Sequence, residues 1–381
     1  VLEDYRIVNE SRQASLLGRK EVLTGKAKFG IFGDGKEVPQ IALSKVFQNG
    51  DFRSGYYRDQ TFMMAIGQMT IEQFFAGLYG HTDLDFDPMS AGRQMGGHFA
   101  THSLDENGNW KDLTKQKNSS ADISPTAGQM PRLLGLAQAS KIFRNVKGLE
   151  NLTQFSKQGN EVAWGTIGNA STSEGLFFET INAAGVLQVP MVMSVWDDEY
   201  GISVPAKYQT TKENLSAILG GFKTDENGKG YEIFTVKGWD YPALIKAYRA
   251  ATKLCREFHT PAIIHVTELT QPQGHSTSGS HERYKSKERL EWETQYDCIA
   301  QMRKWMIEAG IASEETLDNL EKTAIAFVKS EQKEAWKQFL QPIIDDCNKT
   351  IQVLSELAAQ TSTQSAAINA LENGLKSLTE P

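Results

Sequence analysis

Apolar residues recur in two rhythms along this chain. The runs VAWGTIG (162–168), VPMVMSVW (189–196), EIFTVK (232–237) and PAIIHVTEL (261–269) are short, rich in β-branched residues and bounded by turn formers, so they predict strands. Helical spacing marks SEGLFFETINAAGVL and YPALIKAYRAATKLCREF between them, residues 69–79, the first 24 residues, and the segment that follows the turn SPTAGQMP. From about Lys287 to the end the pattern is helical, with no strand candidate. Strands apolar on both faces, alternating with helices of this length, predict βαβ units and a mostly parallel sheet covered on both sides. The expectation is an α/β domain over residues 1–310 followed by a helical C-terminal extension over 311–381. GKAKFGIFGDGKE and the stretch from His81 to Trp110 are dense in Gly, Asp and Asn and predict loops.

Composition narrows the function classes. A chain of 381 residues with 40% hydrophobic and 23% charged residues can bury a substantial core. Its net charge of −7 argues against broad nucleic-acid binding. The three cysteines, Cys255, Cys298 and Cys347, are widely separated, which disfavours a disulfide framework or a thiolate zinc site and fits a reducing compartment. No apolar run reaches the length of a membrane span, so no membrane partner is expected. The expected location is the cytoplasm, or the mitochondrial matrix if a targeting segment ahead of Val1 has been removed.

Two strand ends carry candidate chemistry. In open parallel sheets ligands collect at the carboxyl ends of strands. The first of these ends reads Gly168-Asn169-Ala170-Ser171 and leads into a helix expected to begin near Thr172; the second reads Asp197-Asp198-Glu199-Tyr200. A helix N-terminus accepts an anion, while an amide oxygen on Asn169 and a carboxylate on Asp198 are hard ligands that suit Mg²⁺ bridging to phosphate oxygens. The joint reading is a metal-bridged diphosphate. Helix capping and solvated turn residues account for the same residue types equally directly.

Motif order favours the first reading. Gly168-Asn169-Ala170, 26 intervening residues and then Asp197-Asp198 have the spacing of a thiamine diphosphate motif, and YYRDQ (56–60), GRQMGGHF (92–99), ISPTAGQMP (123–131) and GHSTS (274–278) accompany it in order. Over roughly residues 1–310 the chain resembles the alpha subunit of the thiamine diphosphate-dependent 2-oxo acid dehydrogenases. The resemblance implies a three-layer thiamine diphosphate-binding fold, with thiamine diphosphate and Mg²⁺ as cofactors. It implies that Tyr57 and Arg58 hold the diphosphate, that Ser124 and Thr126 line the aminopyrimidine end, and that Gly168, Asn169, Ala170 and Ser171 form the diphosphate turn. Asn169, Asp198 and the carbonyl of Tyr200 would be metal ligands, and His275, in a Gly/Ser-rich loop, the catalytic donor to phosphate or substrate. Two departures run in opposite directions: Asn169 stands where the family has Asp, and Asp198 where it has Asn. Together they leave one carboxylate and one amide oxygen, a compensated metal site. Ala170 replaces a second glycine.

The same resemblance implies partners. The cofactor serves as the electron sink for decarboxylation of a small 2-oxo acid, with the acyl group passing to the lipoyl group of an acyltransferase core. The activating glutamate belongs to a beta subunit, and no residue here matches it. A beta chain or a fused beta domain is therefore expected, in an assembly of two alpha and two beta units. The motifs suit a branched-chain 2-oxo acid best; pyruvate, a transketolase-like half-enzyme and a non-catalytic homologue without metal are the alternatives.

Overall fold

The computed structural model describes residues 1–94 and 96–378. Met95, within the GRQMGGHF motif, and residues 379–381 of the helical extension lie outside the described residues. The strands are β1 (Phe52–Ser54), β2 (Asn118–Ser119), β3 (Ala163–Gly168), β4 (Met191–Trp196), β5 (Tyr200–Gly201), β6 (Val204–Pro205), β7 (Glu232–Lys237) and β8 (Ala262–Thr267). The α-helices are α1 (Leu2–Leu23), α2 (Glu37–Ser44), α3 (Gln60–Ala65), α4 (Ile71–Tyr79), α5 (Met130–Asn145), α6 (Gly175–Leu187), α7 (Leu215–Ile218), α8 (Tyr241–Phe258), α9 (Lys287–Gln295), α10 (Cys298–Glu308), α11 (Glu314–Gln360) and α12 (Ser365–Lys376).

Six strands form one parallel sheet in the order β2-β1-β3-β4-β8-β7, and β5 and β6 pair as a small antiparallel ribbon. Strand side chains alternate between faces, and each face meets its own helical layer. Trp164, Val192, Trp196, Ile264 and Val266 enter one core with Tyr5, Ile41, Tyr248 and Met302 from α1, α2, α8 and α10. Ala163, Ile167, Met191, Met193, Val195 and Ile263 enter the other with Leu133 from α5 and Phe177 and Ile181 from α6. The three-layer α/β architecture expected from the apolar runs is the one observed.

Local signals set the element ends. Thr70 caps α4 through a capping box with Gln73, and Asp240 accepts the Ala243 N–H ahead of α8. The helix expected near Thr172 begins at Gly175, because Asn169–Ser173 forms a 3₁₀ turn in which the Thr172 hydroxyl donates to the Asn169 carbonyl. Strands β1 and β2 were not among the expected elements. The helical C-terminal region is observed. Residue 310, the expected domain limit, is a glycine at φ +65° between α10 and α11. The first half of the 47-residue α11 packs on α1 and α4 through Ala14, Phe75, Tyr79, Val328 and Ala335. No helix among the described residues is long and apolar enough to cross a membrane.

Candidate active site

Four neighbouring strands, β1, β3, β4 and β8, deliver their carboxyl ends to one cavity of about 300 Å³. Tyr57 and Arg58 follow β1; Gly168, Asn169, Ala170 and Ser171 follow β3; Asp198 and Tyr200 follow β4; Gln271 and His275 follow β8. Thr126 completes the lining, whereas Ser124 does not line it and instead meets His98 Nε2 at 2.9 Å. All the expected site residues except Ser124 are thus brought to one place.

The turn after β1 is fixed from beneath. Arg53 is 1% exposed and bonds two carboxylates: its Nε donates to Asp59 Oδ2 at 2.8 Å, and its Nη1 and Nη2 fork onto Asp122 at 3.0 and 2.9 Å. Its Nη2 also donates to the Tyr56 carbonyl, so guanidinium geometry sets the path of the Tyr56–Asp59 turn. Asp122 in turn accepts the Phe99 N–H, which ties in the loop 96–99. Arg58 donates through Nη1 to the Phe32 carbonyl and through Nη2 to the His275 carbonyl at 2.8 Å, while its guanidinium lies 5.3 Å from the Tyr57 ring centre.

His275 is held by the same arginine. Arg58 Nη2 lies 3.0 Å from His275 Nδ1. Because a guanidinium can only donate, Nδ1 accepts and the imidazole proton sits on Nε2. Burial and then the Arg58 charge push the His275 pKa down to about 4, against the opposing pull of Asp198. At neutral pH this side chain is an uncharged donor.

The residue that sequence reasoning missed is Lys36. It is 2% exposed, and its ammonium donates to Asp198 Oδ2 at 2.8 Å, Gln271 Oε1 at 2.8 Å and the Thr270 carbonyl at 3.3 Å. Burial alone would raise the Asp198 pKa, but Lys36 first, and then Arg58 and Lys285, outweigh it and hold the carboxyl below its ordinary range. The backbone that delivers Lys36 needs glycine: a Cβ on Gly35, at φ +84°, would lie 2.1 Å from the Thr270 carbonyl oxygen. The signal was the GDGK turn ahead of α2, read as loop without chemistry.

The remaining pieces fix the loop after β4. Asp197 accepts from the Glu199 N–H at 2.9 Å and faces His265 Nε2 at 2.8 Å. Arg289 donates to the Asp198 carbonyl at 3.0 Å, and its charge lies 5.4 Å from the Tyr200 ring centre. Ala170 sets its methyl against Gly201, where an added Cβ would meet it at 2.7 Å. The extra carbon at 170 is thereby accommodated by the glycine opposite.

An anion with several oxygens suits this set. Lys36 and Arg58 supply two charges, and Gln271, 5% exposed with its Oε1 turned to Lys36, keeps a buried Nε2 without a hydrogen-bond partner. An orphaned buried donor on a residue lining the cavity beside Lys36 and Arg58 is a suitable counterpart of a phosphate oxygen. The divalent cation fits less well: Asn169, Asp198 and Tyr200 share the cavity, but Asp198 already accepts from Lys36 on Oδ2 and from the Tyr200 N–H on Oδ1. Among the described residues no group of three or more His, Cys, Asp or Glu side chains is placed to hold a metal.

Comparison with known proteins decides the class. Residues 9–343 match the dehydrogenase E1 component family. The chain belongs to that family. It is similar to the 2-oxoisovalerate dehydrogenase subunit alpha of Bacillus subtilis, 25% identical over 313 residues that cover 82% of this chain and 83% of the relative. It also resembles the mitochondrial 2-oxoisovalerate dehydrogenase subunit alpha of Homo sapiens, 24% identical over 76% of this chain but 57% of the relative. A third relative is the pyruvate dehydrogenase E1 component subunit alpha of Acholeplasma laidlawii, 26% identical over 77% of this chain and 71% of the relative. The class implied by the motifs therefore holds: an alpha-type chain of a thiamine diphosphate-dependent 2-oxo acid dehydrogenase.

Proposed function

We propose that this chain binds the diphosphate end of thiamine diphosphate in the cavity at β1, β3, β4 and β8 and, with a beta subunit or a fused beta domain, decarboxylates a branched-chain 2-oxo acid. The observation that carries the reading is the convergence of Lys36, Arg58 and the unpartnered Gln271 amide on one cavity at the strand ends. When bound, the cofactor supplies an electron sink for loss of CO₂ and passage of the acyl group to a lipoyl group of the acyltransferase core. This chain's residues bind and orient it. Arg58 and Lys36 neutralise phosphate charge, the Asn169–Ser173 turn offers backbone N–H groups, and Thr126 lines the same cavity. His275, proton on Nε2, donates to an anionic oxygen and does not serve as an acid at neutral pH. A divalent cation here would use Asn169, the Tyr200 carbonyl and Asp198, sharing that carboxylate with Lys36.

The carboxylates lining the cavity are Asp198, paired with Lys36, and Glu174 at the exposed rim. The base facing the aminopyrimidine therefore comes, in this reading, from the beta partner, in an assembly of two alpha and two beta units. A small cavity of about 40 Å³ shares Tyr57 with the site and is lined by Ile31, Phe74, Leu78 and Met89 as well as by Gln60 and Asp87; its apolar side supports an aliphatic substrate. Turnover of 2-oxoisovalerate and of pyruvate should be measured for this chain alone and with its beta partner. Activity appearing with the partner, higher on 2-oxoisovalerate, is expected; measurable turnover by this chain alone would refute the shared site.

A further inference from the structure

We propose, resting on the cofactor reading above, that Lys36 takes over the charge-balancing role of a divalent cation, so that this site binds the diphosphate of its cofactor without metal. Asp198 is the one carboxylate among the three expected metal ligands. Asp198 Oδ2 is 2.8 Å from the Lys36 ammonium, and its Oδ1 accepts the Tyr200 N–H at 3.2 Å. Mg²⁺ needs oxygens at short distance in near-octahedral array and loses its water reluctantly. Here it would have to share its only anionic protein ligand with an ammonium, and two like charges would face each other across one carboxylate.

The lysine is built into the site. Its loop touches backbone on both sides: a Cβ on Gly33 would lie 2.3 Å from the Arg58 carbonyl oxygen, and one on Gly35 would lie 2.1 Å from that of Thr270. Gln271 Oε1 and the Thr270 carbonyl accept the other two ammonium protons at 2.8 and 3.3 Å. The independent pointer to an anionic ligand is Gln271: its residue is 5% exposed, it lines the cavity, and its buried Nε2 has no partner. A phosphate oxygen can bond that amide and replace the longest ammonium contact, the one to Thr270. The ammonium then faces Asp198 and the diphosphate together, the bridging position that a metal would hold. The charged residues lining the cavity are Lys36, Arg58, Asp198 and, at the exposed rim, Glu174.

Calorimetric titration of the full protein, with its beta partner, tests this using thiamine diphosphate and inorganic pyrophosphate, each in EDTA and in excess MgCl₂. The wild type should bind both in EDTA with a Kd within about tenfold of its value in Mg²⁺. Lys36→Gln should lose about a hundredfold or more in EDTA and recover when Mg²⁺ is added, since its freed carboxylate then needs a cation. Lys36→Arg, which keeps the charge, should still bind in EDTA. Wild-type binding that is abolished by EDTA, with normal binding in Mg²⁺, overturns the inference and leaves the cofactor reading standing. Equal affinity of Lys36→Gln and wild type in EDTA overturns it also. No binding of thiamine diphosphate by the wild type under either condition sinks the cofactor reading, and this inference with it.

Discussion

Replacing Asp198 by Asn keeps the shape of the loop after β4 and removes the charge that faces Lys36. At 2.8 Å and an effective dielectric near 20, the gross attraction of the pair is about 6 kcal/mol, much of it cancelled by the cost of taking both ions out of water. Removing one partner of a buried pair costs about 3–5 kcal/mol, because the other charge is left without compensation. Here the loss should fall toward about 2–3 kcal/mol, since Gln271 Oε1, the Thr270 carbonyl and the new amide oxygen still accept from the ammonium. Lys36→Met alone should cost a similar amount by stranding the carboxylate. The double variant, Asp198→Asn with Lys36→Met, removes both charges and should be less destabilised than the sum by at least about 1.5 kcal/mol. Urea unfolding followed by both circular dichroism and the fluorescence of the buried Trp196 region gives the four stabilities, provided the two probes coincide. Additive losses, or an Asp198→Asn variant within about 0.5 kcal/mol of wild type, would refute the claim that this pair is a coupled buried unit.

Three further outcomes follow from the site's geometry. Labelled-histidine NMR should find His275 titrating near 4 in the protein without cofactor; its folded pKa lies below the ordinary 6.5, so its neutral form favours the fold above about 6.5 and that contribution is lost as pH falls toward 4. A midpoint near 6.5 would remove the Arg58 contact from the account, whereas His275→Ala should cut acyl transfer about a hundredfold with unfolding within about 1 kcal/mol of wild type. Arg53→Met leaves Asp59 and Asp122 buried without their shared cation and should cost about 3–5 kcal/mol, with cofactor affinity falling alongside; an unchanged melting temperature would show the triad to be dispensable.

The parts of the fold legible in the sequence are those whose burial repeats. Strands β3, β4 and β8 are covered on both faces, so their positions are nearly all apolar and their runs stand out against polar turns. Strand β1 is three residues long and places a charged Arg53 inside, which no apolar pattern can announce. The helix start at Gly175 was displaced from Thr172 because a threonine hydroxyl can close a 3₁₀ turn as readily as it can cap an α-helix. At the site, ordered motifs shared with a known family pointed to Tyr57, Arg58, Asn169, Asp198 and His275, and the structure brings these residues to one cavity. Lys36 was hidden for a different reason: its partner lies 162 residues away, and a lysine in a glycine turn carries no local sign of burial.

That long-range contact changes what the exchange at positions 169 and 198 means. Considered as two residues, Asn169 and Asp198 only swap an amide and a carboxylate, and the charge count is unaltered. Considered with Lys36, the carboxylate resides on a strand end that the ammonium carried by the glycine turn at 33–35 reaches. Position 169 follows β3, on the far side of β4 from β8, whereas Lys36 is anchored to Thr270 and Gln271 beyond β8. A carboxylate on Asp198 can be neutralised by the chain itself. Restoring Asp at 169 would add a second carboxylate to a cavity that Asp198 already lines. Asp198 and Lys36 are therefore best understood as one charge-balanced pair assembled across the sheet, with Asn169 lining the same cavity.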